Sequence, residues 1–268
     1  MDGAGAPVPR SPRPRRKGWQ LSASPESPGW LPGRQQARTI SLVQDVAPDP
    51  SFRDLTVRSF VDLLASSAPV PGGGSASAIA ASLGAGLVAM VARLSEGRPR
   101  YADHADVHAT AKARGVELTE RLLGLAEEDA VAYGAYAAAL KLPRDTPEQQ
   151  AARSQAVQVA ARGAADVPLR CMEACLELIA AAELLAGRSN VNAASDLHVA
   201  ALLGEAAARG AAANVRINLP AIGDASHAAT ATARVDALLS DTARLAARVH
   251  QLVASGAAQP PLPPGNLA

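Results

Sequence analysis

Apolar positions along this chain recur at helical rather than strand spacing almost throughout. Val57, Phe60, Val61 and Leu64 share one side of a short helix over 56–65. Ile79, Leu83, Leu87, Met90 and Leu94 follow at steps of four, four, three and four, which predicts a buried helix over 75–95 with that stripe turned into a core. The residues between them are mostly Gly, Ala and Ser, so a second backbone or a flat ligand can approach closely. A third helical pattern covers 101–141 and is closed by Leu142-Pro143. The fourth opens at Pro147, with Thr146 as cap and Glu148 in its first turn, and runs to about 187 with Pro168 as a kink or break. Asn190 to Asn218, closed by Pro220, and Asp224 to Ala254 complete the set. Alternating runs of Val, Ile and Thr are absent. The reading is all-α: an antiparallel bundle of five or six long helices.

Composition sharpens that picture. Of the 268 residues, 48% are hydrophobic but only 3% aromatic, so the core is built from Ala, Leu and Val. Such a core is thin per residue and packs best as close helix pairs, across subunits as well as within them, and the expected assembly is a homodimer. The net charge of +1 conceals an asymmetry. Residues 1–40 carry Arg10, Arg13, Arg15, Arg16, Lys17, Arg34 and Arg38 against Asp2 and Glu26, a balance of +5 that leaves −4 for the rest. Residues 1–50 are accordingly expected to be a disordered extension rich in Arg, Pro and Ser, 51–258 the helical domain, and 259–268 a loose Pro-rich end. The extension reads as a nucleic-acid arm, a transit peptide or a plain solvated tail, and the last is preferred.

The uncharged run from Gly72 to Ala92 is long enough to raise a membrane-spanning reading, but its Gly and Ser content favours a buried helix in a soluble bundle. No apolar signal-peptide core opens the chain, and Cys171 and Cys175, four apart on a helix, suit a reducing setting, so a cytoplasmic protein is expected. Missing aromatic platforms argue against nucleic acid as a partner.

Candidate chemistry falls at three places. Ala68-Pro69-Val70-Pro71-Gly72-Gly73-Gly74-Ser75 is a sharply bent loop running into a helix N-terminus, where free backbone N–H groups can hold a carboxylate. It lacks the Lys-Ser/Thr ending of a Walker loop. Asp129 interrupts the stripe Leu118, Leu122, Leu125, Ala132 or Tyr133, Tyr136 and Leu140, where a carboxylate must be paired, hydrogen-bonded or functional. Asn190, Asn192 and Asp196 cluster at the start of the fifth helix, either as caps or as ligand contacts, and Asn214 lies on a small apolar face further along it. His104 and His108, four apart, are expected to be solvated, and no metal site is expected.

These segments come in a particular order, together with Gly97-Arg98 to Tyr101, Leu142-Pro143, Thr146-Pro147-Glu148 and Asn214-Val215-Arg216-Ile217-Asn218-Leu219. In that order, over roughly 55–250, the chain resembles the C-terminal domain family of formiminotransferase-cyclodeaminase, which includes stand-alone methenyltetrahydrofolate cyclohydrolases. The resemblance implies a dimeric all-helical domain with a folate site near the subunit interface. It implies cyclohydrolase or cyclodeaminase activity on one-carbon tetrahydrofolates, with no cofactor beyond the folate substrate itself. It makes Asp129 the catalytic acid/base and Gly73, Gly74, Ser75, Arg98, Arg100, Tyr101, Asn190, Asn192, Asp196 and Asn214 the substrate-binding set, the arginines suiting glutamate carboxylates and the amides the pterin edge. Pro99 between Arg98 and Arg100, and Ser189 before Asn190, depart from the family pattern. The length offers no room for a separate formiminotransferase domain, which tilts the expectation towards the cyclohydrolase.

Overall fold

A computed structural model describes residues 51–262, and the basic extension over 1–50 lies outside them. Among the described residues there is no strand. The helices are α1 (Val57–Leu64), α2 (Gly73–Ser95), α3 (Ala105–Leu140), α4 (Pro147–Leu185), α5 (Ala194–Ile222) and α6 (Ala225–Ser255), with short 3₁₀ turns at Phe52–Asp54, Pro99–His104 and Val191–Ala193. Short connections make successive helices antiparallel. α2 packs on α3 and α5, α4 packs on α3 and α5, and α6 covers the groove between α4 and α5.

Local chemistry explains most of the boundaries. Thr146 and Gln149 form a reciprocal capping box at the start of α4, ahead of Pro147 in its first turn. Gly223, with φ of 70°, ends α5 in the left-handed conformation that favours glycine. Pro220 does not close α5 as expected, because a proline this near the end removes only one hydrogen bond of the ladder. Pro168 likewise sits buried inside an uninterrupted α4. The carbonyl it leaves without a helical donor is that of Ala164, and Asn218 of α5 supplies one, its Nδ2 donating at 3.0 Å. A polar side chain from the neighbouring helix thus repairs the ladder. The Pro-rich end, expected to be loose from residue 259, is anchored at its start: the Gln259 N–H donates to the Gly187 carbonyl, and Arg188 Nε to that of Pro260, both at 2.9 Å.

The orientation of α2 is rotated from the expected one, and Ile79, Leu87 and Met90 touch the core only from its edge. Its inward face is Ala78, Ala81, Ala85, Val88 and Ala92, all inaccessible, whereas Leu83 and Leu94 stand 60% and 40% exposed and Ile79, Leu87 and Met90 are half-buried. The reason is the spacing of the helices. A Cβ on Gly115 of α3 would lie 2.8 Å from the backbone nitrogen of Ala89, so only small side chains fit the α2–α3 seam. Leu83 and Leu94 are pushed to the outer face. Leu118, Leu122 and Leu125 of α3, Leu178 and Ile179 of α4, Leu197 of α5 and Leu238 of α6 fill the wider parts of the core. α2 is also the one helix among the described residues long and apolar enough to cross a membrane, and just over half of its most apolar stretch is buried inside the bundle.

Candidate active site

The glycine loop and α3 meet at one end of the bundle. Gly72 begins α2 with no capping side chain of its own. Asp129, reaching across from α3, takes that place: its Oδ2 accepts a hydrogen bond from Ser75 Oγ at 2.9 Å, and the Ser75 backbone N–H also favours its anion. The carboxylate lies directly over Gly74, where an added Cβ would stand 2.5 Å from Asp129 Cγ. Glycine at 74 is required for that approach, and the hydroxyl at 75 for holding it.

A cleft of about 170 Å³ opens in front of this carboxylate, lined by Pro69, Gly73, Gly74, Tyr133, Asn214 and Asn218 among others. Burial pushes the Asp129 carboxyl above its ordinary range, against the pull of the two Ser75 hydrogen bonds. A half-desolvated carboxylate of raised basicity, open to a small cleft, is suited to proton transfer and to neutralising a cation. Asn214 bonds its own helix, Nδ2 donating to the Gly210 carbonyl at 2.9 Å. Tyr133 and Asn218 are absent from the expected set. Each follows an expected residue by four positions on the same helix, Asp129 and Asn214, and that spacing is the signal that marks them.

The remaining expected residues form a second cluster at the opposite end. Ser75 and Ser95 are separated by about 30 Å of α2, and beyond Ser95 come Arg98, Arg100 and Tyr101. Tyr101 Oη accepts the Val191 N–H at 3.1 Å, and Ser95 Oγ accepts the Asn190 N–H at 2.8 Å, which ties the 189–193 turn to the end of α2. Asn190 is buried, with Oδ1 accepting the Asn192 N–H at 3.2 Å, so it caps its turn. Asn192 is exposed, and Asp196 lies half-buried in the first turn of α5. Arg98 and Arg100 are exposed, the latter 5.6 Å from the centre of the Tyr101 ring.

His108 is not solvated as expected: it is 1% exposed and its Nε2 bonds the Arg188 carbonyl at 2.9 Å, because the turn before α5 folds over it. His104 is half-buried, with an Nδ1 that has no hydrogen-bond partner, and burial, then the charges of Arg188 and His108, hold its pKa down. No group of three or more His, Cys, Asp or Glu among the described residues is arranged to hold a metal ion.

Comparison with known proteins agrees with this architecture. The model of the formiminotransferase-cyclodeaminase family matches residues 56–237. A methenyltetrahydrofolate cyclohydrolase of Methylorubrum extorquens is 39% identical over 202 residues, covering 75% of this chain and 96% of that one. The formimidoyltransferase-cyclodeaminase of Rattus norvegicus is 36% identical over 217 residues, covering 78% of this chain but only 38% of that one. The crystal structure of a formiminotetrahydrofolate cyclodeaminase from Thermotoga maritima superposes with a TM-score of 0.69 at 25% identity, over 76% of this chain and 98% of that one. The family model spans most of the helical bundle and the cyclohydrolase relative is matched over nearly its whole length, so the chain belongs to the formiminotransferase-cyclodeaminase family.

Proposed function

We propose that the protein hydrolyses 5,10-methenyltetrahydrofolate to 10-formyltetrahydrofolate, with Asp129 as the acid/base. The observation that carries this reading is the seat of that carboxylate: half-desolvated, raised in basicity and fixed by Ser75 at the wall of a cleft. The identity to a cyclohydrolase over nearly all of its length supports the choice of reaction. The bridging carbon of the substrate belongs to an amidinium cation, which the Asp129 anion stabilises. As water attacks that carbon, the carboxylate takes one of its protons. It returns the proton to N5 as the C–N5 bond breaks, leaving the formyl group on N10, while the second water proton passes to solvent. The net products are the formyl compound and one proton.

The second reading, release of ammonia from formiminotetrahydrofolate, is favoured by the likeness to the Thermotoga maritima enzyme. It uses the same carboxylate to protonate the leaving nitrogen. Two assays separate them: decay of the methenyl chromophore, and ammonia release when formiminotetrahydrofolate is offered. Cyclohydrolysis requires the first rate to exceed the second by a wide margin; the opposite order replaces it with cyclodeamination.

The dimer belongs to the same proposal. Arg98 and Arg100 follow the end of α2, with about 30 Å of helix between Ser95 and the Ser75 that holds Asp129 of their own protomer. A second copy laid antiparallel along α2 brings its own arginines to that cleft and covers the exposed Leu83 and Leu94 with the outer edges of half-buried Ile79 and Leu87. Each site then draws the carboxylate from one subunit and the cations for the glutamate tail from the other. A cytoplasmic location fits a soluble folate substrate.

A further inference from the structure

His198 of α5 and His250 of α6 lie 52 positions apart, and the packing of the last two helices brings their rings together. Their Nδ1 atoms stand 3.0 Å apart, with one ring nitrogen donating its proton to the lone pair of the other. The ring planes are inclined at 77°, with centroids 4.7 Å apart. Both side chains border an open groove of about 370 Å³ lined by Ala201, Ala243, Ala246 and Ala247, with Glu205 beside it. Along α5 this lies about 24 Å from Asn214 and the cleft at Asp129. The proposed folate chemistry makes no use of it.

We propose that His198 and His250 form a binding site for a first-row divalent cation of the zinc, nickel and copper group, clipping α5 to α6. A zinc–imidazole bond is about 2.0–2.1 Å, so two nitrogens at a tetrahedral angle on one ion stand about 3.3 Å apart. The observed separation is within a few tenths of that bite, which small side-chain rotations supply. The ion takes the position of the shared proton, and the donating ring carries its hydrogen on Nε2 instead. Imidazole nitrogen suits zinc, copper and nickel, whereas magnesium and calcium demand oxygen ligands. Glu205 is engaged by Arg209 at 2.7 Å, so the protein offers two ligands, and water in the alanine-floored groove completes the sphere. Two ligands make an exchangeable site rather than a closed structural one.

The experiment is calorimetric titration of the untagged full chain with zinc chloride and with nickel chloride. One ion per chain is expected to bind with micromolar affinity and to raise the melting temperature. His198→Ala and His250→Ala should each abolish both effects, while His227→Ala, at a separate histidine, leaves them intact. Both substituted residues reach the surface, and circular dichroism checks that each variant retains its helices. Bound copper(II) should show imidazole nitrogen coupling in its paramagnetic resonance spectrum, lost in either variant. No saturable binding up to about a millimolar zinc, or binding that survives in the doubly substituted chain, overturns the proposal. Because the readout is metal binding and not turnover, failure of the folate reading leaves this test unaffected.

Discussion

The carboxylate of Asp129 lies against the Cα of Gly74, at a distance that admits no Cβ. Position 74 therefore controls where the carboxylate points. In Gly74→Ala the carboxylate must swing away and lose its bond to Ser75, which is possible because it ends a rotatable side chain. Helicity and melting temperature should change little. Turnover should fall about 100-fold, the scale on which a small misplacement of a reacting group costs rate. Gly73→Ala is the control: its Cβ would meet Asn214 Nδ2 at 3.7 Å, an ordinary contact, so stability and the placement of Asp129 should be retained.

Asp129→Asn keeps the shape and removes both the charge and the proton transfer. A loss of about 100- to 10,000-fold in kcat is expected under saturating methenyltetrahydrofolate. Stability should move the other way. Burial raises the folded-state pKa above the unfolded one, so folding favours the protonated acid. The wild type therefore enjoys its full advantage below the ordinary carboxylate range and loses it as pH rises through the raised value. Melting curves from acid to neutral pH should show the Asn variant gaining on the wild type. The acid limb of wild-type kcat/KM should lie above the usual carboxylate pKa. Near-normal turnover in the variant would remove Asp129 from its role and bring Asp196 forward.

The helices and their order are legible in the sequence because the pattern repeats over many turns and strong boundary signals flank it, as at Leu142-Pro143 and Thr146-Pro147; the end of α5 is the exception, set by Gly223 and not by Pro220. Asp129 is legible because it breaks an apolar stripe. The facing of α2 is not, since a stripe of Ile79, Leu83, Leu87 and Leu94 looks like a core by hydrophobicity alone. What turns its larger side chains away is Gly115, on another helix, which brings the two backbones together at Ala85 and Ala89 and leaves no room there for Leu or Ile. Nor does spacing show that Asp129 and Arg98 sit at opposite ends. That follows from helical rise once α2 is known to be unbroken from Gly73 to Ser95. The meeting of His198 with His250 depends on the packing of α5 on α6, which no local pattern encodes.

Cys171 and Cys175 should be chemically silent. Both are buried, and their mutual hydrogen bond, followed by burial, pushes the Cys175 thiol well above its ordinary range. Thiolate, the reactive form, is therefore scarce at Cys175 at neutral pH, and packing in the core closes Cys171 to reagents. Ellman's reagent should leave the native protein unmodified and label two thiols per chain once it is unfolded in guanidinium. Rapid labelling of the native state would contradict the packing of α4 against its neighbours.

The proposed composite site makes a quantitative prediction about mixtures. Asp129→Asn lacks the carboxylate, and a chain carrying both Arg98→Ala and Arg100→Ala lacks the cations. If each site draws one of these elements from each subunit, a mixed dimer holds one doubly defective site and one intact site. Refolding the two variants together at equal concentration yields about half mixed dimers, so about a quarter of wild-type turnover should return. The signature is recovery above the activity of either variant alone, with the KM of the wild type. Sites built within single protomers would show no recovery. Leu83→Glu provides the companion measurement, since a charge on the exposed α2 stripe must be buried when two copies pair. It should give monomers by light scattering, with intact helicity and little turnover. A fully active monomeric Leu83→Glu would show that one chain holds the whole site.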